Sequence, residues 1–132
     1  MKLATWFTIH AICAFLFASV LLADPTVLLA AYGLTTDAVG VSTGRQLGAT
    51  FLAFGVIAWL ARCAEPGPAL RAIVTGFAVA LPVGFACALY AQISISPGPA
   101  HWTVVGSWAV LAAGYVGFLV SGTASRRQAA GR

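Results

Sequence analysis

Residues 72–125, AIVTGFAVALPVGFACALYAQISISPGPAHWTVVGSWAVLAAGYVGFLVSGTAS, form a run of 54 positions without one charged side chain, bounded by Arg71 and Arg126. A helix rises 1.5 Å per residue, so roughly 20 apolar residues cross a hydrocarbon core of about 30 Å. The run is long enough for two crossings, and the turn signal Ser94-Ile95-Ser96-Pro97-Gly98-Pro99 divides it near its middle. Working outward, the gap between Arg45 and Arg62 holds one span, and the gap between Lys2 and Asp24 holds another. The chain thus reads as an all-α integral membrane four-helix bundle in a single transmembrane domain, residues 1–132. Its spans are predicted at about 3–23, 43–63, 69–93 and 101–122.

Composition excludes the alternatives. The 132-residue chain is 61% hydrophobic and 8% charged, against about 25% charged in a soluble domain. The four spans use most of the length and leave short loops and a tail of about ten residues, so function is expected among the helices, at their ends or on the lipid face. The net charge of +4 does not indicate nucleic-acid binding, because the basic residues stand at membrane boundaries, where they set orientation. The first apolar run, Leu3 to Ala23, has 21 residues, longer than the 7–15 of a signal-peptide core, and is expected to be a retained helix.

The charges sort by side. Lys2, Arg62, Glu65, Arg71, Arg126, Arg127 and Arg132 share one side, and Asp24, Asp37 and Arg45 the other. Cytoplasmic loops carry the Lys/Arg excess, so both termini are predicted to be cytoplasmic. Arginine outnumbers lysine, and alanine and glycine abound. That balance points to a bacterium with GC-rich DNA, hence to the bacterial inner membrane.

The loop from Asp24 to Gly44 is expected to carry a short interfacial helix. Asp24-Pro25 reads as an N-cap followed by proline at the first helical position, and Gly33 as a C-terminal stop. Thr36 and Asp37 can start the next helix.

In lipid, helix association depends on close packing of small residues. Span three repeats Ala72, Gly76, Ala80, Gly84 and Ala88 every four positions, and span four repeats Ala109, Ala113, Gly117 and Ser121. These stripes are expected to join the two spans as an antiparallel hairpin, or to face another integral membrane protein. Gly48, Ala49, Ala53 and Gly55 serve span two, and Ala11, Ala14 and Ala18 span one. Pro82 removes a backbone donor inside span three and is expected to kink it. Cys13, Cys63 and Cys87 form no C-x-x-C pair and read as small packing residues.

Polar residues at membrane depth are the default functional candidates. Only 16 residues, Gln46 to Ala61, separate Arg45 from Arg62. Arg45 is therefore drawn to the outer boundary, as an anchor or as a contact to an anion, a quinone headgroup or a partner carboxylate. Asp24, Asp37, Tyr32, Tyr90, Gln92, His101 and Trp102 gather near it on the outer face, where a ligand or partner site is first sought. His10 lies about 10 Å into span one, on the opposite side from His101, so the two are not expected to hold one haem. His10 reads as a histidine bonded to a neighbouring helix, with single ligation of a pigment as the alternative. No acidic residue lies inside a span, no metal-ligand pair sits at i, i+4, and no Gly-rich phosphate loop occurs. No catalytic residue and no metal site is assigned, and no cofactor is fixed, with quinone or pigment left open.

Pro25, the Tyr32-Gly33-Leu34 triplet, Arg45-x-x-Gly48-Ala49, Gly55 and Ala58-Trp59 resemble small bacterial four-helix membrane proteins of the DoxX-like type. The likeness covers about 40 residues and the four-span layout. It implies a compact four-helix bundle, and some such proteins resemble subunits that accompany quinone-linked oxidoreductases. The leading expectation is a non-catalytic subunit, or assembly and scaffolding factor, of a larger energy-converting (respiratory or photosynthetic) membrane complex. The alternative is binding or transport of a small lipophilic molecule such as a quinone at the outer face.

Overall fold

A computed structural model of the protein describes residues 2–95 and 98–130, with side chains on the last helix described as far as Gly122. Among these residues the chain forms α1 (Leu3–Ala23), α2 (Pro25–Ala31), α3 (Ala38–Ala61), α4 (Pro68–Ser94), a single 3-10 turn (Pro99–His101) and α5 (Trp102–Ala130). Four segments are long and apolar enough to cross a membrane: α1, α3, α4 and Pro99–Gly122. Only 22–33% of the residues in their apolar windows are buried inside the bundle, so most of each span faces outward, as lipid contact requires. The architecture is the all-α four-helix membrane bundle expected. The second span begins earlier than expected, at Ala38, which puts Arg45 two turns inside α3.

Local chemistry explains the helix ends. Asp24 closes α1 and opens α2. Its N–H donates to Val20 O at 2.9 Å, while its Oδ1 accepts from Thr26 N at 2.9 Å and from Thr26 Oγ1 at 2.7 Å. Pro25, at the first position of α2, has no N–H to satisfy. The helix stops at Gly33, whose φ of 75° is the left-handed conformation that glycine adopts without strain. Asp37 caps α3 by accepting from Gly40 N at 2.8 Å. Helix α4 runs on through Pro82 without a break.

The bundle is built from two tight pairs, α1 with α3 and α4 with α5, and α2 lies against α1 and α3. Glycines set the first pair: a Cβ on Gly55 would stand 2.7 Å from the Phe15 ring, and one on Gly48 would stand 3.0 Å from Leu21 Cβ. In the second pair the Trp108 ring lies where a Cβ on Gly84 would be. At the end where α1 begins and α5 closes, the rings pack around Phe77. Its centroid is 4.6 Å from His10, 5.1 Å from Tyr115, 5.9 Å from Phe54 and 6.4 Å from Phe7.

Helices α4 and α5 pair as expected, but only part of each small-residue stripe packs within the bundle. Gly84 and Ala88 turn inward, but Ala72, Gly76 and Ala80 are exposed, and nothing lies within 4 Å of a Cβ on Gly76. On α5, Ala109 is half-buried, whereas Ala113, Gly117 and Ser121 are exposed and Leu111, Ala112 and Tyr115 form the buried face. The cause is geometric. A four-residue repeat drifts about 40° per step around a helix of 3.6 residues per turn, so a stripe that faces the bundle at one end faces lipid at the other. Inward-facing positions instead alternate steps of three and four, as in buried Gly48, half-buried Phe51, and buried Gly55 and Ala58. Ala49 and Ala53 are exposed for the same reason. Cys63 and Cys87 are exposed rather than packed, and only Cys13 is partly enclosed. Of the charges used to orient the chain, the side chains of Arg126 and Arg127, and Arg132 as a whole, lie outside the described residues.

Candidate functional site

At the α2 end the bundle is hollow. A cavity of about 480 Å³ lies between α1, α2, the loop that follows α2, α3 and the first turns of α5. His10, Cys13 and Phe17 supply the α1 wall, Phe51 and Phe54 the α3 wall, and Trp108 and Leu111 the α5 wall. Leu28, Leu29 and Tyr32 close it from α2, and His101 stands at the same end. No charged side chain is among its lining residues. Its size is that of a small-molecule site, and its lining, mostly apolar with a few polar points, is of the kind that orients a ligand.

Aromatic rings shape the walls. Phe17 stacks on Phe51 with centroids 5.6 Å apart and planes within 25°, and Phe51 meets Trp108 at 6.0 Å. Two polar groups mark the ends. At the closed end His10, only 3% exposed, has Nδ1 3.0 Å from the Tyr115 hydroxyl. At the α2 end His101 Nδ1 lies 3.0 Å from Gln92 Oε1, while Gln92 Nε2 donates to Gly98 O at 3.4 Å. Tyr32 sits edge-on to the His101 ring at 5.1 Å. Burial holds the Tyr32 hydroxyl above its ordinary pKa, because removing the phenolate from water disfavours the charged form.

The outer residues singled out in the sequence divide into two groups. Tyr32, Gln92 and His101 come together. Asp24, Asp37, Arg45, Tyr90 and Trp102 are exposed, and none lines the cavity. Asp24 and Asp37 are engaged as helix caps. The Asp24 carboxyl is held below its ordinary pKa, first by the Thr26 hydroxyl, then by the Thr26 N–H, and with a smaller contribution from Arg45. Arg45 therefore stands near enough to be felt by Asp24, on a face away from the cavity. The two histidines, expected on opposite sides, do lie at opposite ends, but of one cavity.

Tyr115 was not singled out from the sequence, and neither were the aromatic walls. A signal for Tyr115 was present. A polar side chain inside a span needs a partner. His10 is seven residues from the start of α1 at Leu3, and Tyr115 is seven from the end of its span at Gly122, so the two share a depth. Among the described residues, no group of three or more His, Cys, Asp or Glu could hold a metal ion. Compared with known protein families, curated proteins and solved structures, the chain matches none, so function has to be argued from the site's chemistry.

Proposed function

We propose that the protein binds a small, neutral, lipophilic molecule, such as a quinone, in the cavity at the α2 end of the bundle. What carries this is one observation: about 480 Å³ of space walled by aromatic and aliphatic side chains, with no charged residue in the lining and a buried histidine at its closed end. An ionic ligand would lose its hydration there without gaining a counter-charge. The sorting of basic residues to the opposite end supports a multi-pass protein of the bacterial inner membrane with cytoplasmic termini. The cavity then opens toward the extracytoplasmic leaflet.

Cys13 offers the direct test, since it lines the cavity while Cys63 and Cys87 are exposed elsewhere. In a Cys63→Ser, Cys87→Ser background, decylubiquinone is expected to slow modification of Cys13 by a small membrane-permeant thiol reagent. An unchanged rate at saturating quinone would end the proposal.

A second function is favoured by a separate observation. Gly76 and Ala80 on α4, and Ala113 and Gly117 on α5, form exposed small-residue faces on lipid-facing helices. Small residues let another helix approach closely. They fit a non-catalytic subunit or assembly factor that seats against a larger energy-converting complex. Mass spectrometry of the protein solubilised in mild detergent is expected to recover other membrane proteins, and Gly76→Leu with Gly117→Leu to release them without unfolding the bundle. Recovery only as a monomer or homodimer would end it.

A further inference from the structure

The chemistry of the bound molecule follows from where the imidazole protons sit. His10 Nδ1 and the Tyr115 hydroxyl are 3.0 Å apart and share one hydrogen bond. Tyr115 is completely buried, and its hydroxyl has no other hydrogen-bond partner among the described residues. If the ring donated to the phenol oxygen, the phenolic proton would be stranded in an apolar interior with no acceptor. If the phenol donates to Nδ1, no proton is stranded on that side, and only oxygen lone pairs go unused, which costs far less. The neutral His10 ring then carries its proton on Nε2.

That proton has no acceptor among the described residues, although His10 is only 3% exposed. Phe77 stands edge-on at 4.6 Å and Tyr115 takes the Nδ1 edge. What the ring also borders is the cavity. The other end has the opposite polarity. Gln92 uses its amide N–H on Gly98 O, so its Oε1 is the atom that faces His101, and His101 Nδ1 must be the donor. The lone pair of His101 is then on Nε2.

We propose that His10, fixed by the Tyr115 hydroxyl, presents Nε2–H into the cavity as the donor for a carbonyl oxygen at the buried end of the bound molecule. This rests on the cavity being a ligand site. It adds that the ligand is a flat, neutral carbonyl compound, entering ring first along the wall that Phe17, Phe51 and Trp108 form, with its aliphatic part toward the α2 end. Tyr115 is a positioning residue, because it acts on the ligand only through His10.

The chain has two histidines, so histidine-selective ¹⁵N labelling in nanodiscs reads both rings by NMR. The expected result is opposite tautomers, Nε2–H at His10 and Nδ1–H at His101. Decylubiquinone is expected to shift the His10 Nε2–H resonance and to be retained roughly five-fold more tightly than decylbenzene, the contribution of one hydrogen bond in a site without water. His10→Phe removes that preference. Tyr115→Phe, which keeps the ring, lets the His10 proton distribute over both nitrogens and lowers the preference. An Nδ1–H tautomer at His10, or equal retention of the two probes with no shift at Nε2, overturns the role of His10 while leaving the cavity as a binding site. A preference that survives His10→Phe does the same. Retention of neither probe overturns the binding site as well.

Discussion

The two ends of this bundle are made of the same kinds of side chain and are put together differently. At the end that carries the chain termini, all four long helices reach the middle: Phe7, Ala58, Phe77 and Tyr115 come one from each and belong to one buried cluster. At the other end α4 packs on α5 and His101 but contributes no residue to the cavity wall, and α2 closes the cavity instead. A helix of seven residues is about 10 Å long, too short to fill the space a full span would occupy. Phe17, Phe51 and Trp108 therefore stack along the walls rather than across the gap. The packed end holds the fold. The hollow end holds the candidate site, an arrangement that matches the usual division between a rigid scaffold and a site at its mouth.

The sharpest way to break this contrast is at Phe77, the ring that touches His10, Phe54 and Tyr115. Phe77→Ala is expected to destabilise the bundle by about 2–3 kcal/mol in an SDS unfolding titration. That is below the 3–5 kcal/mol typical of soluble cores, because an unfolded helix in lipid keeps its apolar surroundings and only packing is lost. A loss under about 0.5 kcal/mol would mean that the terminal end is not the scaffold. Next is a matched pair on α4. Gly84→Leu drives a side chain into Trp108 and is expected to cost about 1–3 kcal/mol. Gly76→Leu, two turns away in open space, is expected to stay within about 0.5 kcal/mol. Equal effects would show that the whole stripe is packed after all. The smallest effect is acid fraying of α2. The Asp24 pKa is lower in the folded protein, so its stabilising contribution is present above the ordinary carboxylate value and is lost as pH falls through the depressed one. The protection of Thr26 N–H, measured against the exchange rate of an unstructured chain at the same pH, is expected to fall in that acid range. Asp24→Asn, which still caps, should suppress the pH dependence while keeping α2 closed.

Segments governed by neighbours in the chain were readable in advance. Leu3–Ala23 came out at both boundaries, because a charge or a cap stands at each end. Asp24, Gly33 and Asp37 took their expected roles, because an N-cap or a left-handed glycine acts within four residues. The site was readable only in part. Depth groups Tyr32, Gln92 and His101, and the structure brings these three together. Arg45 stands out in the sequence because its neutral run is short, but α3 starts at Ala38 and Arg45 is exposed and does not line the cavity. Depth is a one-dimensional property, and a hydropathy pattern carries it. The direction a residue faces is not, and the helices here are apolar all round, so no polar face marks the outside.

By itself the sequence determined the class of the molecule, the number of long helices, their caps and the order of their ends, since these follow from charge spacing and short-range hydrogen bonds. Only the tertiary structure decided which face of each helix turns inward, that Tyr115 meets His10 across 105 positions of chain, and that α2 leaves a cavity where a fourth wall would be. Those outcomes depend on how whole helices fit against one another, where the approach allowed by Gly48, Gly55 and Gly84 sets the geometry and the pattern along any single helix does not.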